Sequence, residues 1–481
     1  MKSLAKDTAI YGLSSIIGKF LNYLLVPLYT YALARTADYG IVTNIYAWTA
    51  LLLVLLTYGM ETGFFRFANR EDYDPATVYK TAYLTLFSTS ALFALLVIVF
   101  QHPIANVLGY ADHSEFIAMM FATVAIDAFA CIPFAYLRYQ KKPIRFAVLK
   151  LLFVLLNIGF NLLFLVVLGK NDVFYVFLSN ILATTIQTLC LLPFTMPKGG
   201  HFDGRVLKDM LRYSLPLLVL GVAGIMNQTL DRILFPYLYT GDDAQAQLGI
   251  YGACFKVAMI MMMFTQAFRY AYEPFVFAKH KDRQSAAAYA DAMKYYIIFS
   301  YLILLGVIFY LDIFRYIISS AYWEGLKIVP VVLWTYVFQG IYFNLSFWYK
   351  LTDETKWGAY FSLIGLAITL VLHIVGVPLI GYWASCGSSL VCYFVIMCLS
   401  YGIGQRKAPI PYDMKRIGLY TVLTLMLLGA YYAVRLNTTL NMWLLMAIGT
   451  ALIGIYLFVL TRKDFPIANV LRNRRNNGSG R

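Results

Sequence analysis

Long apolar runs separated by short polar gaps fill the chain from residue 8 to residue 462. Each run is long enough to cross a bilayer as a helix, and a helix satisfies its own backbone polar groups where no water can do so. The pattern predicts fourteen spans, at roughly 8–34, 41–65, 81–101, 115–137, 146–168, 173–195, 213–238, 246–268, 289–311, 328–349, 357–377, 379–402, 416–434 and 441–461. The alternating, weakly apolar signature of a membrane β-barrel is absent. The gaps leave no room for a folded soluble domain. The expected fold class is an all-α polytopic membrane protein.

Composition agrees with the pattern: 61% of the 481 residues are hydrophobic and 13% charged, too apolar for a soluble surface. The formal net charge of +15 would ordinarily raise nucleic acid as a partner, but its placement argues against that. With the N-terminus cytoplasmic, 30 of the 39 Lys and Arg residues fall in inside segments. Only Arg35, Lys170, Arg315, Lys327 and Arg435 fall outside. This is the asymmetry of a membrane protein with both termini in the cytoplasm. Lys2 and Lys6 precede a first span too long for a signal-peptide core, so that span is expected to remain as an anchor.

The six cysteines (Cys131, Cys190, Cys254, Cys386, Cys392 and Cys398) all fall in predicted helices without a CxxC pair. They read as apolar packing residues rather than a disulfide or metal framework. No metal or other cofactor is expected. Of the five histidines only His373 is well inside a span, and no HExxH, phosphate-binding glycine loop or carboxylate pair on a large loop occurs.

An offset of 209 residues brings Gly12, Ile16, Leu21, Leu25, Pro27, Gly40 and Ile41 onto Gly221, Ile225, Leu230, Leu234, Pro236, Gly249 and Ile250, and Phe100 onto Phe309. Six helices followed by six in the same orientation predict two parallel lobes, related by a pseudo-twofold axis along the membrane normal. The expected divisions are 1–196 (first lobe), 197–212 (cytoplasmic linker), 213–405 (second lobe), 406–463 (two further helices) and 464–481 (tail). Repeats of this kind put a substrate site between the halves near the midplane.

The runs Leu211–Phe235 (LRYSLPLLVLGVAGIMNQTLDRILF) and Leu248–Phe277, the loop Leu137–Phe146 (LRYQKKPIRF) and the N-terminal YGLSSIIGKFLNYLLVPLYTYAL resemble the polysaccharide-biosynthesis flippases. Those belong to the multidrug/oligosaccharidyl-lipid/polysaccharide exporter superfamily. The resemblance extends over residues 1–462. It implies a V-shaped pair of six-helix lobes with two C-terminal helices. It also implies movement of undecaprenyl-pyrophosphate-linked oligosaccharide between leaflets of a bacterial inner membrane. The implied partners are that lipid-linked glycan and membrane lipids, with a polysaccharide polymerase as a further candidate. Tyr316–Glu324 resembles the family's short amphipathic segment and is expected on the outer interface.

A charge inside a span costs a few kcal/mol even on lenient insertion scales and calls for a reason. Four cations lie deep: Lys19, Lys150, Arg232 and Lys256. A cavity holding them would replace the hydration that a pyrophosphate loses, and staggered depths would give the phosphates successive partners. Lys150 has snorkelling to the interface as its alternative. Arg66 and Arg269, at inner helix ends, are candidates for meeting phosphates on entry or plain interfacial anchors. Asn157 and Asn161, four apart on one helix face, are candidates for binding sugar hydroxyls or for interhelical hydrogen bonds. Three acids, Asp127, Asp231 and Glu61, are candidates for coupling to H⁺ or Na⁺. Asp231 is expected to pair with Arg232 or a lysine, and Glu61 with Arg66.

Competing readings are a cation-coupled multidrug exporter of the same fold, a lipid II flippase and, in another class, a membrane polymerase, glycosyltransferase or acyltransferase. The first favours acidic cavities, whereas the deep charges here are mostly basic. The last needs a large outside catalytic loop, which the longest outside segment, about 312–327, does not provide.

Overall fold

The computed structural model describes residues 17, 18, 20, 21, 23–279, 285–352 and 354–464, and among these every regular element is helical. In chain order the helices are α1 (Leu25–Ala32), α2 (Thr36–Thr57), α3 (Met60–Ala68), α4 (Pro75–Val99), α5 (Gln101–Val107), α6 (Ser114–Tyr139), α7 (Pro143–Asn161), α8 (Val173–Thr195), α9 (Gly204–Leu238) and α10 (Ala244–Val257). They continue as α11 (Met259–Lys279), α12 (Ser285–Phe309), α13 (Leu311–Phe314), α14 (Val329–Leu345), α15 (Phe347–Leu351), α16 (Lys356–Ile380), α17 (Tyr382–Lys407), α18 (Met414–Asn437) and α19 (Met442–Lys463). Among the described residues twelve helical stretches are long and apolar enough to cross a membrane, or thirteen with the broken pair α10 and α11 counted as one span. Of the predicted first span, residues 8–16, 19 and 22 lie outside the described residues. The chain is a multi-pass membrane protein. Its outward surface agrees, with Leu92, Leu95, Val167, Leu379 and Met426 all more than half exposed.

Contacts divide the chain into two compact units. The first comprises Met1–Lys256, Ile318–Ile328 and Glu354–Ile396; the second comprises Val257–Ile317, Val329–Asp353 and Met397–Arg481.

Within the first unit the predicted second span is two helices. Tyr58 and Gly59 adopt left-handed backbone (φ 31° and 72°) and separate α2 from α3. The Gly59 carbonyl accepts the first amides of α3, from Thr62 and Gly63 at 3.1 Å, and also the Ser214 hydroxyl at 3.2 Å. The predicted linker also differs. From Gly204 onward it is the first part of α9, a single 35-residue helix. Val206 and Met210, one turn apart, bury against Phe64, Tyr79 and Leu86, so these turns behave as core rather than tether. Asp74 caps α4 by accepting from the Thr77 hydroxyl and the Thr77 and Ala76 amides. Those bonds hold its carboxyl below the usual range, the Thr77 hydroxyl contributing most.

The repeat is visible in the elements. The 209-residue offset carries Pro75–Val99 onto residues 284–308, and α12 spans Ser285–Phe309. The kink after α4 at Phe100 (φ −104°, ψ 20°) recurs at Tyr310 (φ −104°, ψ 17°), one residue later than the sequence offset predicts. Gly40 and Gly249, paired by the offset, touch: the backbones of α2 and α10 meet at these two residues.

The segment expected on the outer interface runs into a 3₁₀ stretch, Ser320–Ile328, with one buried and one exposed face. Tyr322 is buried, its ring set edge-on to Tyr39 at 6.0 Å. Cys254 Sγ donates to the Tyr322 carbonyl. Tyr322, Gly325 and Ile328, three residues apart, form the buried face of this stretch, as the three-residue turn of a 3₁₀ helix requires.

Candidate functional site

The first unit contains two charged cavities stacked along α7. The one toward the C-terminal end of α7 has a volume of about 350 Å³. Tyr39, Val42, Thr43, Tyr46, Ala47 and Ala50 line it from one face of α2, a spacing of three and four residues that helical periodicity requires. Tyr29 from α1, Asn157 from α7, Asn180 from α8, Thr229 and Arg232 from α9, and Lys256 from α10 complete its polar wall. Asn180 donates to the Tyr46 hydroxyl at 3.1 Å. The Arg232 guanidinium lies 4.4 Å from the centroid of the Phe255 ring, which holds its plane. Among the described residues no carboxylate lines this cavity, so it presents two cations together with hydroxyls, amides and rings.

The second cavity has a volume of about 500 Å³ and takes in Glu61, Asp127, Cys131, Arg138, Lys150 and Gln187. Glu61 and Arg138 form an ion pair, and Cys131 Sγ donates to the other Glu61 oxygen at 3.4 Å. Lys150 Nζ sits 3.9 Å from the Phe134 ring centroid. Gln187 donates to the Leu149 carbonyl at 2.8 Å. Two cations face two carboxylates, so this cavity is balanced in charge. Phe153 lines both cavities. It lies between Lys150 and Asn157, which are seven residues apart and so separated by about 10 Å along the helix.

The structure thus groups the sequence candidates into sets. Arg232, Lys256 and Asn157 share the first cavity; Lys150, Asp127 and Glu61 share the second. Lys19 lies outside the described residues. Asn161 does not join Asn157 in the cavity: it is fully buried, with its amide donating to the Asn157 carbonyl and side-chain oxygen at 2.7 and 3.1 Å. Glu61 pairs with Arg138, not with Arg66. Arg66 is exposed one turn further along, over the Tyr213 ring at 4.1 Å, because α3 turns Glu61 and Arg66 to different faces. Arg269 belongs to the second unit, where it flanks Phe343 at 5.5 Å and lines a cavity of about 20 Å³ with Lys350 and Asn344.

Asp231 does pair with Arg232, at 3.5 Å, and also receives the Tyr251 hydroxyl at 2.5 Å. Sequence reasoning overlooked the tyrosines of α1 and α2 and counted Arg138 only among the 30 inside charges. The spacing of Tyr39, Thr43 and Tyr46 was the available signal.

The family described as "Polysaccharide biosynthesis protein" matches residues 4–272, more than half of the chain. The chain belongs to this family. Among solved structures, "Lipid II flippase MurJ, inward closed conformation" is similar over 94% of this chain and 99% of that one, with a TM-score of 0.74 at 14% identity. An inward-facing "multidrug resistance MATE family transporter of the MOP superfamily" is similar over 86% and 95%, with a TM-score of 0.61 at 12% identity. The MATE multidrug transporter DinF-BH is similar over 84% and 96%, with a TM-score of 0.57 at 16% identity. At these identities the likeness establishes a shared fold. No curated protein matches the chain.

Proposed function

We propose that this member of the polysaccharide biosynthesis family is a flippase. It carries an undecaprenyl-pyrophosphate-linked oligosaccharide from the cytoplasmic to the periplasmic leaflet of a bacterial inner membrane by alternating access, with both termini cytoplasmic. The observation that carries the reading is the cavity of Arg232 and Lys256. Two fixed cations without a lining carboxylate suit a pyrophosphate, whose desolvation they offset. The hydroxyls of Tyr29, Tyr39, Tyr46, Thr43 and Thr229 and the amides of Asn157 and Asn180 suit a glycan, which offers hydroxyl groups and apolar ring faces. A cationic drug would find repulsion there. The second cavity offers no net negative charge in exchange, since Glu61 and Asp127 face Arg138 and Lys150.

The test is reconstitution of the full chain in vesicles containing a fluorescent undecaprenyl-pyrophosphate oligosaccharide, with leaflet exchange read by quencher access. Exchange that depends on the protein and falls with Arg232→Gln or Lys256→Gln is expected. Protein-independent exchange, or efflux of a cationic dye in its place, would overturn the reading.

A further inference from the structure

Behind the cationic cavity, at the packed contact of α9, α16 and α17, lies a knot of buried polar groups that the flippase reading leaves without a task. Asp231 is 4% exposed and His373 is fully buried. His373 Nδ1 lies 2.9 Å from the Thr369 carbonyl and 3.0 Å from Ser388 Oγ. A carbonyl cannot donate, and the Ser388 hydroxyl proton goes to the Ser385 carbonyl at 3.0 Å. Nδ1 therefore carries the hydrogen, and Nε2 presents a bare lone pair.

Nε2 has no hydrogen-bond partner among the described protein atoms, and neither does Asp231 Oδ1. The side-chain oxygens of Thr369, Ser385 and Asn227 are in the same condition on the same helices. Buried polar atoms are rarely left unmatched, and a cluster of them asks for a function. The groups facing the pair from neighbouring elements are Arg232 on α9, Tyr251 on α10 and Cys386 on α17, with Asp231 in electrostatic reach of His373.

We propose that His373 Nε2, with Asp231 beside it, is an exchangeable proton site linked to the anion cavity; the inference rests on the flippase reading for the identity of that anion. The neutral imidazole takes one proton at Nε2 and becomes an imidazolium carrying N–H on both nitrogens. Asp231 then faces two cations, Arg232 on one side and the imidazolium on the other, and its hold on Arg232 weakens. The guanidinium, which lines the cavity, is then freer to meet a phosphate. Linkage is reciprocal, so a bound pyrophosphate also favours the proton. An imidazole nitrogen suits a proton better than Na⁺, which prefers oxygen ligands throughout.

Two measurements on the full chain in nanodiscs test this. In ¹⁵N-histidine-labelled protein the His373 signal, identified by its loss in His373→Gln, should convert from the lone-pair to the N–H form at Nε2 between pH 8 and pH 5. Should that variant fail to fold, replacing His102, His113, His201 and His280 leaves His373 as the one reporter. Binding of undecaprenyl pyrophosphate should tighten about fivefold or more over the same interval, a usual size for coupled sites. His373→Gln and Asp231→Asn should keep only the pH dependence of the lipid's own phosphates. An Nε2 that stays unprotonated throughout overturns the site. Equal pH dependence in wild type and His373→Gln overturns its link to the cavity. A titrating His373 in a protein that binds no pyrophosphate lipid at any pH supports the proton site and sinks the flippase reading.

Discussion

Gly40 and Gly249 approach each other so closely that neither has room for a side-chain carbon. A Cβ on Gly40 would fall 1.8 Å from the Gln245 carbonyl oxygen, and one on Gly249 would fall 2.0 Å from that of Thr36. The contact is reciprocal. Each glycine meets the residue four positions before the other, and the same sequence offset relates all four. The repeat is therefore more than a likeness of sequence; in α2 and α10 its equivalent positions touch each other.

That seam predicts a strong size limit. Gly40→Ala and Gly249→Ala should each destabilise the protein by about 1–3 kcal/mol, as overpacking does, measured by chemical unfolding in detergent. Gly429→Ala, where a Cβ meets open space on α18, should be neutral or stabilising by about 0.5–1 kcal/mol, the helical preference for alanine over glycine. Equal effects at the three positions would contradict the close approach.

The charge of the first cavity should be readable in ligand affinity. Arg232→Gln and Lys256→Gln should each weaken binding of undecaprenyl pyrophosphate by about tenfold or more, since a hydrogen bond to a charged group contributes about 1.5–3 kcal/mol. Arg232→Lys should recover part of the loss, and high salt should narrow the gap between wild type and the variants. Lys150→Gln, in the charge-balanced cavity, should change affinity far less.

The pairing of Glu61 is testable by coupling. A double-mutant cycle of Glu61→Gln with Arg138→Gln should show an interaction of at most about 1 kcal/mol, because both partners are about one-third exposed and solvent screens them. Glu61→Gln with Arg66→Gln should be additive. Coupling to Arg66 in place of Arg138 would mean that α3 is turned differently.

Orientation has its own measurement. Single cysteines at Asp242 and Lys142, in a chain cleared of its six native cysteines, should react with membrane-impermeant reagents from opposite sides. Asp242 should label from the periplasm and Lys142 from the cytoplasm. Labelling of both from one side would break the alternation on which the fourteen-span topology rests.

Most spans were legible because burying an apolar run of twenty residues in lipid outweighs any local preference. The exceptions depend on partners distant in sequence. The break at Tyr58–Gly59 packs against Ser214, and the extension of α9 back to Gly204 needs Phe64 and Tyr79 to receive Val206 and Met210. The deep cations announced themselves through the energy of an unsolvated charge. Their division into two cavities did not, because it turns on Phe153, one phenylalanine among 35. Tyr39 and Tyr46 were hidden the same way, in a chain where aromatic residues are 17% of the total. Only the packing of α1, α2 and α7 distinguishes those that face a cavity from those that face lipid.

A protein that holds polar cavities within a membrane risks becoming a leak for protons and small ions. A file of water molecules needs a passage close to 3 Å wide, about the span of one hydrogen bond. Where Gly40 meets Gly249 there is not space for a methyl group, and so none for such a file. Any larger residue would have held the two backbones apart and left crevices along its flanks. The smallest side chain in the repertoire thus closes this seam to water, and it does so with backbone alone.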